Sequence, residues 1–140
     1  MDDTANVGDL IVDNPVAITF PDGILGFEEL RHFAIVENET SALCWLQSLE
    51  NSHIAFPIIS PFLVHEEYAF ELDDDALAKM DIKDLSDVMV YSIVTIPENI
   101  KEMTVNLRAP LLVNLNKCLG RQIVLRDERY PIKQEILREG

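Results

Sequence analysis

Met103-Thr104-Val105-Asn106-Leu107-Arg108-Ala109-Pro110-Leu111-Leu112-Val113-Asn114-Leu115 runs on through Asn116-Lys117-Cys118-Leu119-Gly120 into Arg121-Gln122-Ile123-Val124-Leu125-Arg126. Met103, Val105 and Leu107 alternate with Thr104, Asn106 and Arg108. A period of two places the apolar set on one sheet face and the polar set in water. Leu111, Val113 and Leu115 alternate with Leu112, Asn114 and Asn116 in the same way. Ile123 and Leu125 follow Gly120 with Gln122 and Arg126 outward, so residues 116–120 are expected to connect a hairpin.

Upstream, residues 88–96 (Val-Met-Val-Tyr-Ser-Ile-Val-Thr-Ile) are nearly continuous in β-branched and aromatic types. That suits a central strand covered on much of both faces. Pro97-Glu98-Asn99 then turns the chain back toward Met103. Further strands are expected at 10–12, 16–20, 33–37, 43–49 and 54–60, with Pro57 marking an edge or a bulge because it cannot donate to a ladder. Helix is sparse. Asp73-Asp74-Asp75 before Ala76-Leu77-Ala78-Lys79-Met80 predicts at most two turns, and residues 26–30 a single turn. Many short strands with little helix point to an antiparallel sandwich or a small barrel. No repeat or linker divides residues 7–140, read as one domain behind a flexible stretch at 1–6.

At 140 residues and 48% apolar content, the chain is long enough to bury a real core and does not read as disordered. Its charge is lopsided: residues 1–75 hold 16 acids and one base, Arg31, whereas residues 76–140 hold 9 acids and 10 bases. Such a field attracts cationic surfaces and repels phosphate backbones over about 8 Å at physiological ionic strength. A basic protein is the expected partner, with no nucleic acid and no anionic membrane. No apolar run reaches the ~18 residues of a membrane span, and Met1-Asp2-Asp3-Thr4 is acidic where a signal peptide is basic, so a cytoplasmic location is expected. Cys44 and Cys118, isolated in apolar stretches, read as buried, inert thiols.

Chemistry-bearing patterns are weak. His32, His53 and His65 lack a partner at zinc-ligand spacing, except that His65 and Glu67 could share one strand face. The run from Asp73 to Asp75 has neither the alternation nor the central Gly of a calcium loop and suits a helix N-terminus better. The serines lack a Gly-x-Ser-x-Gly frame, and no Gly-rich phosphate loop is present. Bases from Lys117 to Arg138 are interleaved with Asp127, Glu128, Glu135 and Glu139, a mixed solvated face rather than a nucleic-acid stripe. The residues therefore assign no catalytic group, metal or cofactor. A metal-dependent hydrolase using His65, Glu67 and residues 73–75, and direct RNA binding, are the competing classes.

The most specific pattern is Phe20-Pro21-Asp22-Gly23-Ile24-Leu25-Gly26-Phe27-Glu28. Read physically, it is a strand end, a Pro-Asp-Gly turn, a second bend at Gly26 and an aromatic anchor. It resembles the signature of the FliW family of flagellar assembly factors. The resemblance continues through Phe33-Ala34-Ile35-Val36, Cys44-Trp45-Leu46-Gln47-Ser48-Leu49, Ile54-Ala55-Phe56-Pro57 and Asp87-Val88-Met89-Val90-Tyr91-Ser92-Ile93-Val94. It closes with Thr104-Val105-Asn106-Leu107-Arg108-Ala109-Pro110-Leu111-Leu112-Val113-Asn114 and Gly120-Arg121-Gln122-Ile123-Val124-Leu125.

The resemblance implies a mainly β, small antiparallel barrel-like domain with one or two short helices. It also implies a non-enzymatic protein, without cofactor, that is monomeric when free. Its partners would be flagellin and the translational repressor carbon storage regulator A, whose silencing of flagellin messenger RNA it relieves; a dedicated flagellin chaperone with no regulatory partner is the alternative. An RNA-gripping repressor must present Lys and Arg, so the densest acidic run, Glu66, Glu67, Glu71, Asp73, Asp74 and Asp75, is the expected contact patch. Phe62, Leu63, Tyr68 and Phe70 are the expected apolar anchors. For flagellin, whose termini are amphipathic helices, an apolar groove is expected, with the Phe20 to Phe27 turn as one place for it.

Overall fold

The period-two segments roll into a closed ring of strands. The structure, a computed structural model, describes residues 4–7, 10–13, 16–37 and 40–136, the first two segments as backbone alone. In chain order the strands are β1 (Thr4–Val7), β2 (Leu10–Asp13), β3 (Ala17–Thr19), β4 (His32–Val36), β5 (Cys44–Ser48) and β6 (Ala55–Ile59). A covering segment with helix α1 (Asp74–Lys79) leads to β7 (Val88–Thr95), β8 (Thr104–Val105), β9 (Leu111–Asn114), β10 (Leu119–Gln122) and β11 (Gln134–Glu135). Neighbours around the ring are β3, β4, β5, β6, β7, β9, β10 and β3 again. The fold is thus a mainly β barrel of seven strands with one short α-helix among the described residues.

Six of the seven contacts around the ring are antiparallel; the closing one, β3 with β10, is parallel, with the Thr19 N–H donating to the Cys118 carbonyl at 2.9 Å. β7 is the strand read from sequence as central, and it is shared three ways. Its first four residues pair with β9, Ser92 and Ile93 with β6, and Val94 and Thr95 with β8, which in turn carries β11. Pro57 sits on the stretch of β6 before β7 joins at Ile58 and Ile59, where β5 is the sole partner, so it takes the locally edge-like place its missing donor requires.

Adjacent residues of β6 and β7 face opposite ways and feed two cores. Ile58, Tyr91 and Ile93 point into the barrel with Ile18, Phe20, Phe33, Leu46, Leu111 and Val113, where Phe20 and Phe33 meet edge to face at 5.5 Å. Ile59, Val90 and Val94 point outward to a second core built on Tyr68, Met103, Val105, Leu107 and Tyr130. The alternation of Met103, Val105 and Leu107 with half-buried Thr104, Asn106 and Arg108 follows the expectation.

β9 departs from it. Leu112 and Asn114, expected to face water, are buried along with Leu111 and Val113 because the segment carrying α1 covers this outer face. The hairpin connection also shifts to residues 115–118, and Leu119 and Gly120 belong to β10. Cys118 adopts the left-handed φ of 54° that the turn needs. Gly120 serves another purpose: a Cβ there would run into the ring of Phe20. Residues 123–125 are not a strand, although the Leu125 N–H bonds to the Arg108 carbonyl at 2.7 Å.

In the signature turn, Gly23 has a φ of 69° and its Cα lies so near the Glu28 backbone that no side chain fits, while Phe27 docks edge to face on Phe56 at 5.1 Å. Residues 27–30 form a turn rather than a helix, closed by Leu30 N–H to the Phe27 carbonyl. β1 and β2 pair with each other, so residues 4–6 of the stretch read as flexible carry strand backbone, and residues 1–3 lie outside the described residues.

Gly120→Ala is expected to cost about 1–3 kcal/mol by overpacking against Phe20. In a thermal-unfolding double-mutant cycle, Phe20→Leu should relieve part of that cost, leaving a coupling of at least about 0.5 kcal/mol. Simple additivity would show that Gly120 is not there to admit the ring.

Candidate functional site: an acidic cover over an apolar groove

Residues 61–87 form the cover. Apolar residues inside the segment fasten it to the barrel, and its carboxylates point to solvent. Pro61 starts a 3-10 turn, Pro61–Leu63, and both the Val64 and His65 N–H groups return to its carbonyl. Tyr68, 3% exposed, is the fastening point: its hydroxyl donates to the Leu107 carbonyl at 2.6 Å. Burial holds that hydroxyl protonated far above the usual tyrosine range, which keeps it a donor. The Tyr130 ring lies 4.6 Å from Tyr68, and its hydroxyl oxygen accepts from the Ala69 N–H at 3.1 Å. Phe62 and Phe70 pack edgewise on Tyr68 at 5.9 and 5.5 Å, and His65 packs on Tyr130 at 5.5 Å.

The helix follows its sequence signals. Asp73 caps it by accepting from the Ala76 N–H at 2.8 Å, Asp74 and Asp75 occupy the first turn, and Lys79 in the last turn pairs with Asp75 at 3.3 Å. Ala76 and Met80 turn inward. At the C-terminal end, buried Asn114 of β9 donates to the carbonyls of Met80 and Asp81 at 3.0 and 3.3 Å. Asp81 takes a left-handed φ of 52° there and pairs with Lys117 at 3.2 Å. A second 3-10 turn, Leu85–Asp87, is capped by the Asp84 carboxylate accepting from the Ser86 N–H at 2.9 Å.

Between cover and barrel lies a groove of about 560 Å³. Val88 and Val90 of β7 and Leu112 of β9 supply the barrel side; Phe62, Phe70 and Leu85 are among the residues on the other side, with Glu71 and Lys83 also lining it. Two apolar side chains of this lining reach well into solvent, Phe62 at 46% and Leu85 at 66% exposure.

The six carboxylates expected at the contact patch, Glu66, Glu67, Glu71, Asp73, Asp74 and Asp75, are all exposed on this one segment, which carries nine acids against two bases. Phe62 and Leu63 are exposed beside them, and Phe70 is half-buried in the groove. Tyr68 is different. Expected as an anchor, it is buried with its hydroxyl committed to Leu107, so it supports Phe62 and Phe70 from below rather than touching a partner. Leu77, Ile82, Leu85, Val88, Val90 and Leu112 complete the groove without having been expected there. Alternation assigns Leu112 to water, whereas Val88 and Val90 belong to the run read as covered on much of both faces, whose outward side needs a lining.

Among the described residues no three of His, Cys, Asp and Glu converge to hold a metal ion. None of their helices is long and apolar enough to cross a membrane. Cys44 and Cys118 are half-buried against the barrel interior and form no disulfide. In the signature turn Phe20 is buried and Phe27 half-buried; Leu25 alone of its large apolar side chains is exposed.

A family model described as FliW protein matches residues 2–136. A flagellar assembly factor FliW of Caldicellulosiruptor saccharolyticus is 45% identical over 126 residues, covering 90% of this chain and 83% of that protein. The corresponding protein of Alkaliphilus metalliredigens is 42% identical over 138 residues, covering 97% and 85%. A crystal structure of the flagellar assembly factor FliW superposes with a TM-score of 0.87 at 28% identity, covering 97% of this chain and 98% of that one.

Three carboxylates are held below their ordinary range by hydrogen bonds to the ionised form: Glu50 by the Arg31 and His32 N–H groups, Asp84 by the Ser86 N–H, and Asp127 by Arg129. A depressed folded-state value stabilises the fold above the ordinary carboxylate range and is lost as pH falls through the depressed one. The unfolding temperature is therefore expected to fall on acidification below about pH 4. Glu50→Gln should flatten part of that slope; an unchanged slope would exclude Glu50 as a contributor.

Proposed function

The chain belongs to the FliW family of flagellar assembly factors, and from that premise we propose that it works as a non-enzymatic regulator that captures a basic protein on its acidic cover. The partner in this reading is carbon storage regulator A, held away from flagellin messenger RNA, with flagellin as the second ligand. Free flagellin would occupy the factor; flagellin leaving for the filament would release it to take up the repressor. The reading places the chain in the cytoplasm as a monomer when free.

One observation carries the reading: six exposed carboxylates stand together on a segment that is fastened rigidly from beneath, with exposed Phe62 and Leu63 among them. A surface built to grip RNA must be cationic, so this face would attract it during approach. Once docked, the same carboxylates would repel RNA phosphates, because like charges brought within a Debye length cost energy that salt screens only partly. The apolar residues then set how long the complex lasts. Long-range attraction and short-range grip thus fall on one segment.

Surface-immobilised repressor gives the test. Reversing Glu67 and Glu71 to Lys is expected to slow association by roughly tenfold at low ionic strength, with the difference shrinking as salt is raised. An association rate indifferent to the reversal would sink the acidic-face mechanism. Absence of repressor binding by the unaltered chain, with flagellin binding retained, would favour a flagellin chaperone instead.

A further inference from the structure

We infer that the cavity between the signature turn and the start of β11 receives one large apolar side chain of a protein segment whose neighbouring residue carries a carboxylate. The cavity, about 220 Å³, lies where the second sheet splays away from the ring, and it shares no residue with the groove under the acidic cover. Ile93 and Thr95 line it from the face of β7 opposite to Val88 and Val90, because neighbouring strand residues point to opposite sides. It would be filled independently of the cover.

Size and walls select a side chain. Ile24, Phe56 and Ile93 are apolar lining, and Leu25 and Ile132 line the same cavity while 60% and 56% exposed. Pockets that enclose a whole small molecule run from about 300 Å³ upward, so this one suits a single anchor residue. An apolar side chain entering it would cover Leu25 and Ile132 together, as anchors in ready pockets do. The rim is already set: Gln122 Oε1 accepts from the Leu25 N–H at 2.9 Å, and its Nε2 donates to the Ala109 carbonyl at 3.2 Å. Docking therefore need not order the turn first.

Charge supplies the second half of the pattern. Asn106 Oδ1 accepts from the Arg108 and Ala109 N–H groups at 3.0 Å each, which leaves its amide nitrogen, a donor only, without a partner among the described residues. Lys133 forms no ion pair among them either, whereas Lys79, Lys117, Arg121 and Arg129 each hold an Asp. Glu28, in the adjoining turn, has its carboxylate on the Gly26 N–H at 3.2 Å. Both open groups at the cavity are donors, so an acceptor is called for, and an ionised one meets Lys133 as a charge-assisted bond. The formal charge of −14 sets the limit: a strongly acidic segment would be repelled by the whole molecule, so one carboxylate beside the anchor is the pattern that fits.

The probe is a blocked peptide of about six residues, Gly and Ser around a central Leu-Asp pair, too short to hold helix and carrying a single charge. Titration into isotope-labelled chain, followed by amide chemical shifts, is expected to move Leu25, Ile93, Asn106 and Lys133 and to saturate with a dissociation constant of about 1 mM. Ala in place of the Leu, or Lys in place of the Asp, should weaken binding at least about fivefold. Lys133→Glu should reverse the charge preference, so that the Leu-Lys peptide binds better than the Leu-Asp one, and Leu25→Ser should weaken both. Each substitution falls at an exposed position, and unfolding temperature should stay unchanged.

Equal binding of the Leu-Lys peptide by the unaltered chain, shifts confined to residues outside the cavity, or indifference to Lys133→Glu would overturn the inference. So would free isovalerate saturating as tightly as the peptide, which would give the cavity to a small anion. A dimer seen by light scattering that Leu25→Ser disperses would overturn it as well, and give the cavity to a second copy.

Discussion

Closure of the barrel depends on β7, because one strand of eight residues has to serve three neighbours. Its first half meets β9 and completes the ring, its middle meets β6, and its end starts the second sheet with β8. A strand in that position is apolar on both sides: Tyr91 and Ile93 fill the barrel while Val90 and Val94 face out. An outward apolar face in water is unfavourable by about 25 cal/mol for each Å² left exposed, so something must cover it. Residues 61–87 and the strands β8 and β11 are that cover. Much of the molecule outside the barrel follows from that need.

The cover also sorts its own residues by type. Its inward residues, Tyr68, Ala76 and Met80, are buried, and Asn114 reaches out of the barrel wall to hold the carbonyls at the end of α1. Each attachment runs from a buried side-chain donor to backbone, the Tyr68 hydroxyl to Leu107 and the Asn114 amide nitrogen to Met80 and Asp81, the kind of bond that is costly to lose once water is excluded. Everything facing away from those attachments is free to be charged. The acidic face is thus displayed on a rigid mount rather than on a loose loop, and preorganisation of that kind lowers the entropy cost of binding.

Much of the barrel was legible because its signal is local. Alternation in 103–107, the β-branched run at 88–96 and the capped stretch behind Asp73 each report on their own residues, and each led to the element found. What escaped depended on contacts distant in sequence. Leu112 and Asn114 alternate as a solvent-facing set would, and only packing against a helix more than thirty residues away makes them buried. Gly120 looked like a turn glycine, yet its role is set by Phe20, a hundred residues earlier. The residues expected at a contact patch divide in the same way. Its carboxylates could be read directly, since six acids in one stretch have few places to go but solvent. Tyr68 could not be told from Phe62 by type; the Leu107 carbonyl decides which is buried. The groove between them belongs to no single stretch of sequence, and so no local pattern announced it.

The central claim is that residues 61–87 are the face on which a basic partner lands. Amide hydrogen exchange of the chain with and without carbon storage regulator A reads this without altering a residue. The account predicts slowed exchange concentrated over residues 61–87, centred on α1 and the turn at Phe62, with the signature turn near Gly23 unaffected. Protection confined to the Phe20 to Phe27 turn or to the basic half from Lys117 to Lys133, with the cover unchanged, would contradict it.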